Sequence, residues 1–184
     1  MNEDMKKILK LSLILFLICA ITAGVLGGVN ALTEDRIYMQ KNAKTIEAFS
    51  AVLPSDRYEE LEFDKAAFPT VESVSKADNG TGWVVKSTFS GAQGSITMVV
   101  GVNNDYKCTG ISIIEHSETS GLGANAASTG QVGIDFRAQF VGQGADIALS
   151  NAGGSIDALT GATITSRAIT EAVAISIQAV KSMG

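Results

Sequence analysis

From Leu11 to Ala31 the chain reads LSLILFLICAITAGVLGGVNA, with no charged residue. About 20 apolar residues in a helix match the roughly 30 Å hydrocarbon core of a bilayer. A helix is also the one single-segment structure that satisfies its own backbone polar groups there. Lys6, Lys7 and Lys10 precede the run, and Glu34 and Asp35 follow it. Basic residues stay on the cytoplasmic side. The expected topology is therefore a cytoplasmic N-terminus at 1–10, a transmembrane helix at 11–31, a stalk helix at 32–54 and an extracytoplasmic domain at 55–184, on the cytoplasmic (inner) membrane.

Two other readings of the run compete with this one, and the second fails. Val29-Asn30-Ala31 loosely fits a signal-peptide cleavage site, although the run is long for the apolar core of such a peptide. A lipoprotein signal ending at Cys19 needs a small residue before the cysteine, and Ile18 is too large. A single-pass anchor is the reading that fits best.

Charge and cysteine usage exclude several functions. With 14 basic and 19 acidic residues the net charge is −5, which lacks the basic face that nucleic acid requires. Cys19 lies in the apolar run and Cys108 far downstream, so no disulfide framework is readable. With one histidine, His116, and no Cys-x-x-Cys, a metal site is equally hard to build. No nucleophile–base pair stands at a readable spacing, and His116 alone reads as a surface loop residue.

Downstream of the run, Thr33 can cap a helix with Glu34 and Asp35 in its first turn and Pro54 at its end. Ile37, Ala43, Ile46, Phe49 and Val52 recur at mostly helical spacing, so Thr33 to Leu53 is predicted as a helix continuing from the membrane segment. Ser55 to Ser75 is mixed and charged; Tyr58, Leu61, Phe63, Phe68 and Val71 are its candidate anchors, but no element is readable. Three strands then follow, Trp83–Phe89, Ser95–Val102 and Tyr106–Glu115, separated by turn residues at 90–94 and 103–105. Short loops between consecutive strands imply an antiparallel meander. Asp135–Phe140 is a short amphipathic piece, and Val141–Gly154 reads as strand or loop. Ser166–Met183 is a helix, with Ile169, Ala172, Val173, Ser176, Ile177 and Val180 on one face.

Two stretches carry candidate chemistry. Asp157-Ala158-Leu159-Thr160-Gly161-Ala162-Thr163-Ile164-Thr165-Ser166-Arg167 is a hydroxyl-rich turn feeding the closing helix. Gly161 permits a sharp turn or close approach, and a helix start offers free N–H groups that suit a phosphate. The plain alternative is an ordinary N-cap with spare hydroxyls. Glu115-His116-Ser117-Glu118-Thr119-Ser120-Gly121-Leu122-Gly123 is the second stretch, with a simple strand-to-helix connection as its plain alternative.

Asp-x-x-Thr-Gly-Ala-Thr resembles the flavinylation signature of the FMN-binding domain family. That family includes the G subunit of Rnf (Rsx) electron-transport complexes and the C subunit of the Na+-translocating NADH:quinone reductase. Glu118 to Gly123 is similar to the family loop Glu-Thr-Pro-Gly-Leu-Gly, with Ser120 in place of proline, and the Gly-x-x-Gly turn at 91–94 and the Gln139-Phe140 pair also match. The resemblance implies an α+β fold: one transmembrane helix, then an antiparallel-sheet FMN-binding domain at 55–184 with packed helices. It implies FMN joined by a phosphoester to Thr163, with Asp157, Thr160, Gly161, Ala162 and Thr165 around the phosphate. Glu118, Thr119, Gly121, Leu122 and Gly123 are implied to lie near the flavin. The implied partners are a flavin transferase that uses FAD as donor, and the other membrane and peripheral subunits of the complex. The implied role is an electron carrier within a ferredoxin:NAD+ oxidoreductase that moves Na+ or H+. The short chain favours the Rnf branch; the quinone-reductase protein and a non-redox membrane-tethered binding module are the alternatives.

Overall fold

A computed structural model describes the backbone of residues 3–183 and the side chains of residues 9–28 and 43–183. The chain divides into two compact units, Met1–Ala43 and Lys44–Gly184. Helix α1 runs Glu3–Val52. Within it, Leu9–Gly28 is long and apolar enough to cross a membrane, with mean hydropathy 2.4 and no part of the window buried in protein. A helix that leaves Leu11, Leu15, Phe16 and Leu26 all exposed suits lipid and not water. The predicted span began two residues later, and its last three side chains lie outside the described residues. α1 passes through Thr33 unbroken, so the predicted cap there is corrected: the preceding residues are already helical and leave no free N–H to cap. The side chains of Thr33, Glu34, Asp35 and Ile37 lie outside the described residues.

In the second unit, five strands form one antiparallel sheet in sequence order: β1 (Tyr58–Leu61), β2 (Val71–Ala77), β3 (Gly82–Ser90), β4 (Ser95–Asn103) and β5 (Cys108–His116). The last three are the predicted meander. β5 starts later than expected because Tyr106 sits in the preceding turn with φ +56. β1 and β2 were not predicted. β2 carries a register shift between Val71 and Ser73, which breaks strand alternation, and β1 is a four-residue edge strand with two exposed glutamates.

The end of α1 covers one sheet face, and two later helices cover the other. The end of α1 lays Ala48, Phe49, Val52 and Leu53 on Ala77, Val84 and Val99. Its last carbonyls are satisfied by side chains: Thr109 Oγ1 donates to Val52 O at 2.6 Å and Tyr58 Oη to Leu53 O at 2.6 Å. Gly101 makes room for this joint, since a Cβ there would lie 2.7 Å from Val52 O.

On the opposite face packs α3 (Thr163–Lys181), burying Ile169, Ala172, Val173, Ser176, Ile177 and Val180 as the spacing predicted. It begins three residues before the expected start. In chain order, β5 and α3 are separated by a short 3₁₀ turn at Gly123–Ala127, helix α2 (Gln131–Ala138) and a second 3₁₀ turn at Ser150–Ala152. The segment 141–154 holds no regular strand, only a bridge from Leu149 to Ile156. Phe136 and Phe140, edge-to-face at 5.3 Å, seat α2 on the core.

Candidate functional site

Gly161 adopts φ +73, a conformation open to glycine at little cost, and turns the chain into α3. Ala162 occupies the N-cap position and no side chain caps the helix. Ser166 closes the turn instead: its Oγ accepts from Leu159 N–H at 3.0 Å and donates to Ala162 O at 2.9 Å. The first hydrogen bond into the helix comes from Ser166 N–H to Ala162 O. The N–H groups of Thr163, Ile164 and Thr165 therefore have no acceptor among the described residues, as a helix start without a cap requires.

The four hydroxyls of the motif have different fates. Thr165 is buried and its Oγ1 donates to Glu118 Oε2 at 2.5 Å. Ser166 is buried and engaged with the turn. Thr160 is exposed. Thr163 is half-buried, and its hydroxyl has no hydrogen-bond partner among the described residues.

Glu118 joins three elements. It follows β5, reaches Thr165 in the first turn of α3, and takes the N–H of Gln93 in the β3–β4 turn on Oε1 at 3.0 Å. Burial pushes its carboxyl upward in pKa. Hydrogen bonds from Thr165 and from the backbone at Gln93, Ala92 and Gly94 outweigh that and hold it below the ordinary value. Glycines leave it space: a Cβ at Gly91 would overlap Glu118 Oε1, and one at Gly123 would overlap Oε2 and lie 2.6 Å from Thr165 Oγ1. His116 accepts the Glu118 N–H on Nδ1 at 3.3 Å, a local loop contact.

Where the two stretches meet, a cavity of about 410 Å³ opens, lined by Glu118, Thr119, Leu122, Gly123, Gly161, Ala162, Thr163 and Thr165 from the predicted set. Ala92, Gln93 and Ile164 also line it; the sequence did not single them out. Leu122 and Ile164 stand 43% and 65% exposed, so the lining includes unpartnered apolar surface.

Asp157, Thr160 and Gly121 do not line the cavity. The Asp157 side chain is exposed, while its backbone is gripped by Gln139, whose Oε1 accepts from Asp157 N–H at 2.7 Å and whose Nε2 donates to Asp157 O at 3.3 Å. Gly121 shapes the loop with φ +78.

A volume of this size falls within the roughly 300–1,000 Å³ of small-molecule sites. Free N–H groups suit a phosphate, a free hydroxyl can be esterified, and apolar side chains can meet a flat ring. The residues present fit a flavin mononucleotide.

Residues 91–178 match the FMN-binding domain family, and residues 1–52 match the RnfG N-terminal region. The G subunit of the ion-translocating oxidoreductase complex of Methanosarcina acetivorans is 32% identical over 180 residues, 93% of each chain. The G subunit of the Na(+)-translocating ferredoxin:NAD(+) oxidoreductase complex of Acetobacterium woodii is 32% identical over 201 residues, covering 95% of this chain and 92% of the relative. Its counterpart in the proton-translocating complex of Clostridium ljungdahlii is 30% identical over 186 residues, 97% and 95% of the two chains. A crystal structure of the C subunit of Na(+)-translocating NADH-quinone reductase from Parabacteroides distasonis matches 65% of each chain at 24% identity, with a TM-score of 0.47.

Proposed function

This chain belongs to the G-subunit family of ion-translocating oxidoreductase complexes, and from that premise we propose that it carries FMN esterified to Thr163 and passes electrons within an Rnf-type ferredoxin:NAD+ oxidoreductase. Relatives of both the Na+- and the proton-translocating kind lie at similar identity, so the coupled ion is Na+ or H+. These G-subunit relatives favour this branch over the quinone reductase. The match to an FMN-binding domain sets aside a non-redox binding module.

One observation carries the choice of Thr163. Of the four motif hydroxyls, it is the one that lines the cavity and has no partner among the described residues. Thr165 and Ser166 are committed to Glu118 and to the turn. In the attachment step the Thr163 oxygen forms a P–O bond to the FMN phosphorus of FAD, the bond to AMP breaks, and AMP leaves. The hydroxyl proton passes to a base of the flavin transferase or to water. The N–H groups of Thr163, Ile164 and Thr165, at the positive end of α3, would hold the phosphate oxygens. Leu122 and Ile164 would give apolar contact to the ring, and Glu118 with Thr165 holds loop and helix together. The exposed Asp157 and Thr160 serve the transferase as recognition elements.

Bound there, FMN supplies one- and two-electron transfer. A covalent link suits a domain outside the cytoplasm, where dissociated cofactor is lost. The lysines before the apolar span favour an N-terminus in the cytoplasm and an FMN domain on the extracytoplasmic side.

The test is acid precipitation of the chain purified from its native host. Retained yellow colour and flavin fluorescence in the pellet are expected, and a colourless pellet contradicts the proposal.

A further inference from the structure

Of the eleven residues lining the cavity, Glu118 is the one with an ionisable side chain. Sites that hold a free phosphate monoester commonly place Arg or Lys on it, and none lines this cavity. Arg167, one turn further along α3, lines a separate cavity with Ile147, Leu149 and Glu171. The Arg137 guanidinium is committed to the carbonyls of Ala126 and Ser128.

Resting on the FMN reading above, we propose that Glu118 makes this cavity prefer a phosphate already esterified to the chain over that of free FMN. The reason is charge. A phosphate monoester carries about −1.5 to −2 at neutral pH, whereas the diester on Thr163 has lost its second ionisation and carries a single negative charge. The start of α3 offers its N–H groups and about half a positive charge, which suits one negative charge. Glu118 is bonded to Thr165, two residues from Thr163 in the same first turn, so any second phosphate charge meets a carboxylate with no cation among the residues that line the cavity. Its hydrogen bonds favour the ionised form. Filling through the transferase is therefore favoured over uptake of free FMN.

The test uses the full chain in detergent, produced without a flavin transferase, with riboflavin and FMN as probes and fluorescence quenching as the readout. Riboflavin should bind more tightly than FMN by on the order of tenfold, a modest like-charge repulsion in a site that solvent reaches. In Glu118→Gln the ratio of riboflavin to FMN affinity should fall by most of that factor, whatever change in loop packing both probes share. Wild-type chain that binds FMN as tightly as riboflavin overturns the proposal, whatever the folding of the variant. So does an unchanged ratio in Glu118→Gln, or no FMN binding by it. The parent reading is checked separately by the mass of chain co-produced with the transferase. Covalent loading beside any overturning result removes only the selectivity claim, and an unloaded chain removes both.

Discussion

Thr165 Oγ1 donates a 2.5 Å hydrogen bond to Glu118 Oε2 across 47 residues of sequence, and both side chains are buried. This bond fastens the β5 loop to the first turn of α3 and leaves Thr163 as the free hydroxyl at the cavity. Removing one partner of a buried, charge-assisted bond costs about 1–3 kcal/mol. Thr165→Val and Gly123→Ala, whose Cβ would press on the same pair, should each lower the thermal midpoint of the full chain in detergent. Both should retain part of their covalent flavin. A Thr165→Val chain that melts like wild type and is wholly flavin-free would point to Thr165 as the acceptor instead.

Gly161 combines φ +73 with a Cβ position only 3.0 Å from Leu122 Cδ2. A side chain there adds strain of about 1–3 kcal/mol, small beside a typical stability of roughly 5–15 kcal/mol. Gly161→Val should give folded, membrane-inserted protein with little bound FMN, read as flavin fluorescence per mole beside a circular dichroism melt. Full loading of this variant would show that the turn is not needed to present Thr163.

Acid should weaken the domain partly through Glu118. Its folded-state pKa lies below the ordinary 4.5, so its contribution is present above that value and is lost as pH falls through the folded pKa. Glu72 behaves alike: burial raises its pKa, but hydrogen bonds from Lys86 and Thr88 outweigh that. Glu118→Gln should therefore flatten, without abolishing, the loss of thermal midpoint below about pH 4.5. An acid limb as steep as that of wild type would mean that Glu118 contributes none of it.

What was legible in the chain follows from how local each signal is. The apolar run, the β3–β5 meander and the buried face of α3 each repeat within a few residues, so period alone finds them. β2 escaped because its register shift at Val71/Ser73 destroys the alternation that marks a strand. The start of α3 was placed late, since no side chain caps it and the usual N-terminal signal is missing. Both halves of the cavity wall were readable as motifs. That Thr165 is spent on Glu118, or that Gln139 holds the backbone of Asp157, depends on packing across the fold, which spacing does not encode.

The charge bias around the apolar span predicts that protease added to intact spheroplasts digests the FMN domain. Full protection until lysis would reverse the topology.

The most direct test of the whole account is peptide mass spectrometry of the flavin-loaded chain from its native host, beside the Thr163→Ala and Thr163→Ser variants. The FMN phosphoester should sit on Thr163, be absent from Thr163→Ala, and persist in part in Thr163→Ser, which keeps a hydroxyl. FMN mapped to Thr160, Thr165 or Ser166, or Thr163→Ala protein that stays fluorescent in a denaturing gel, would contradict it.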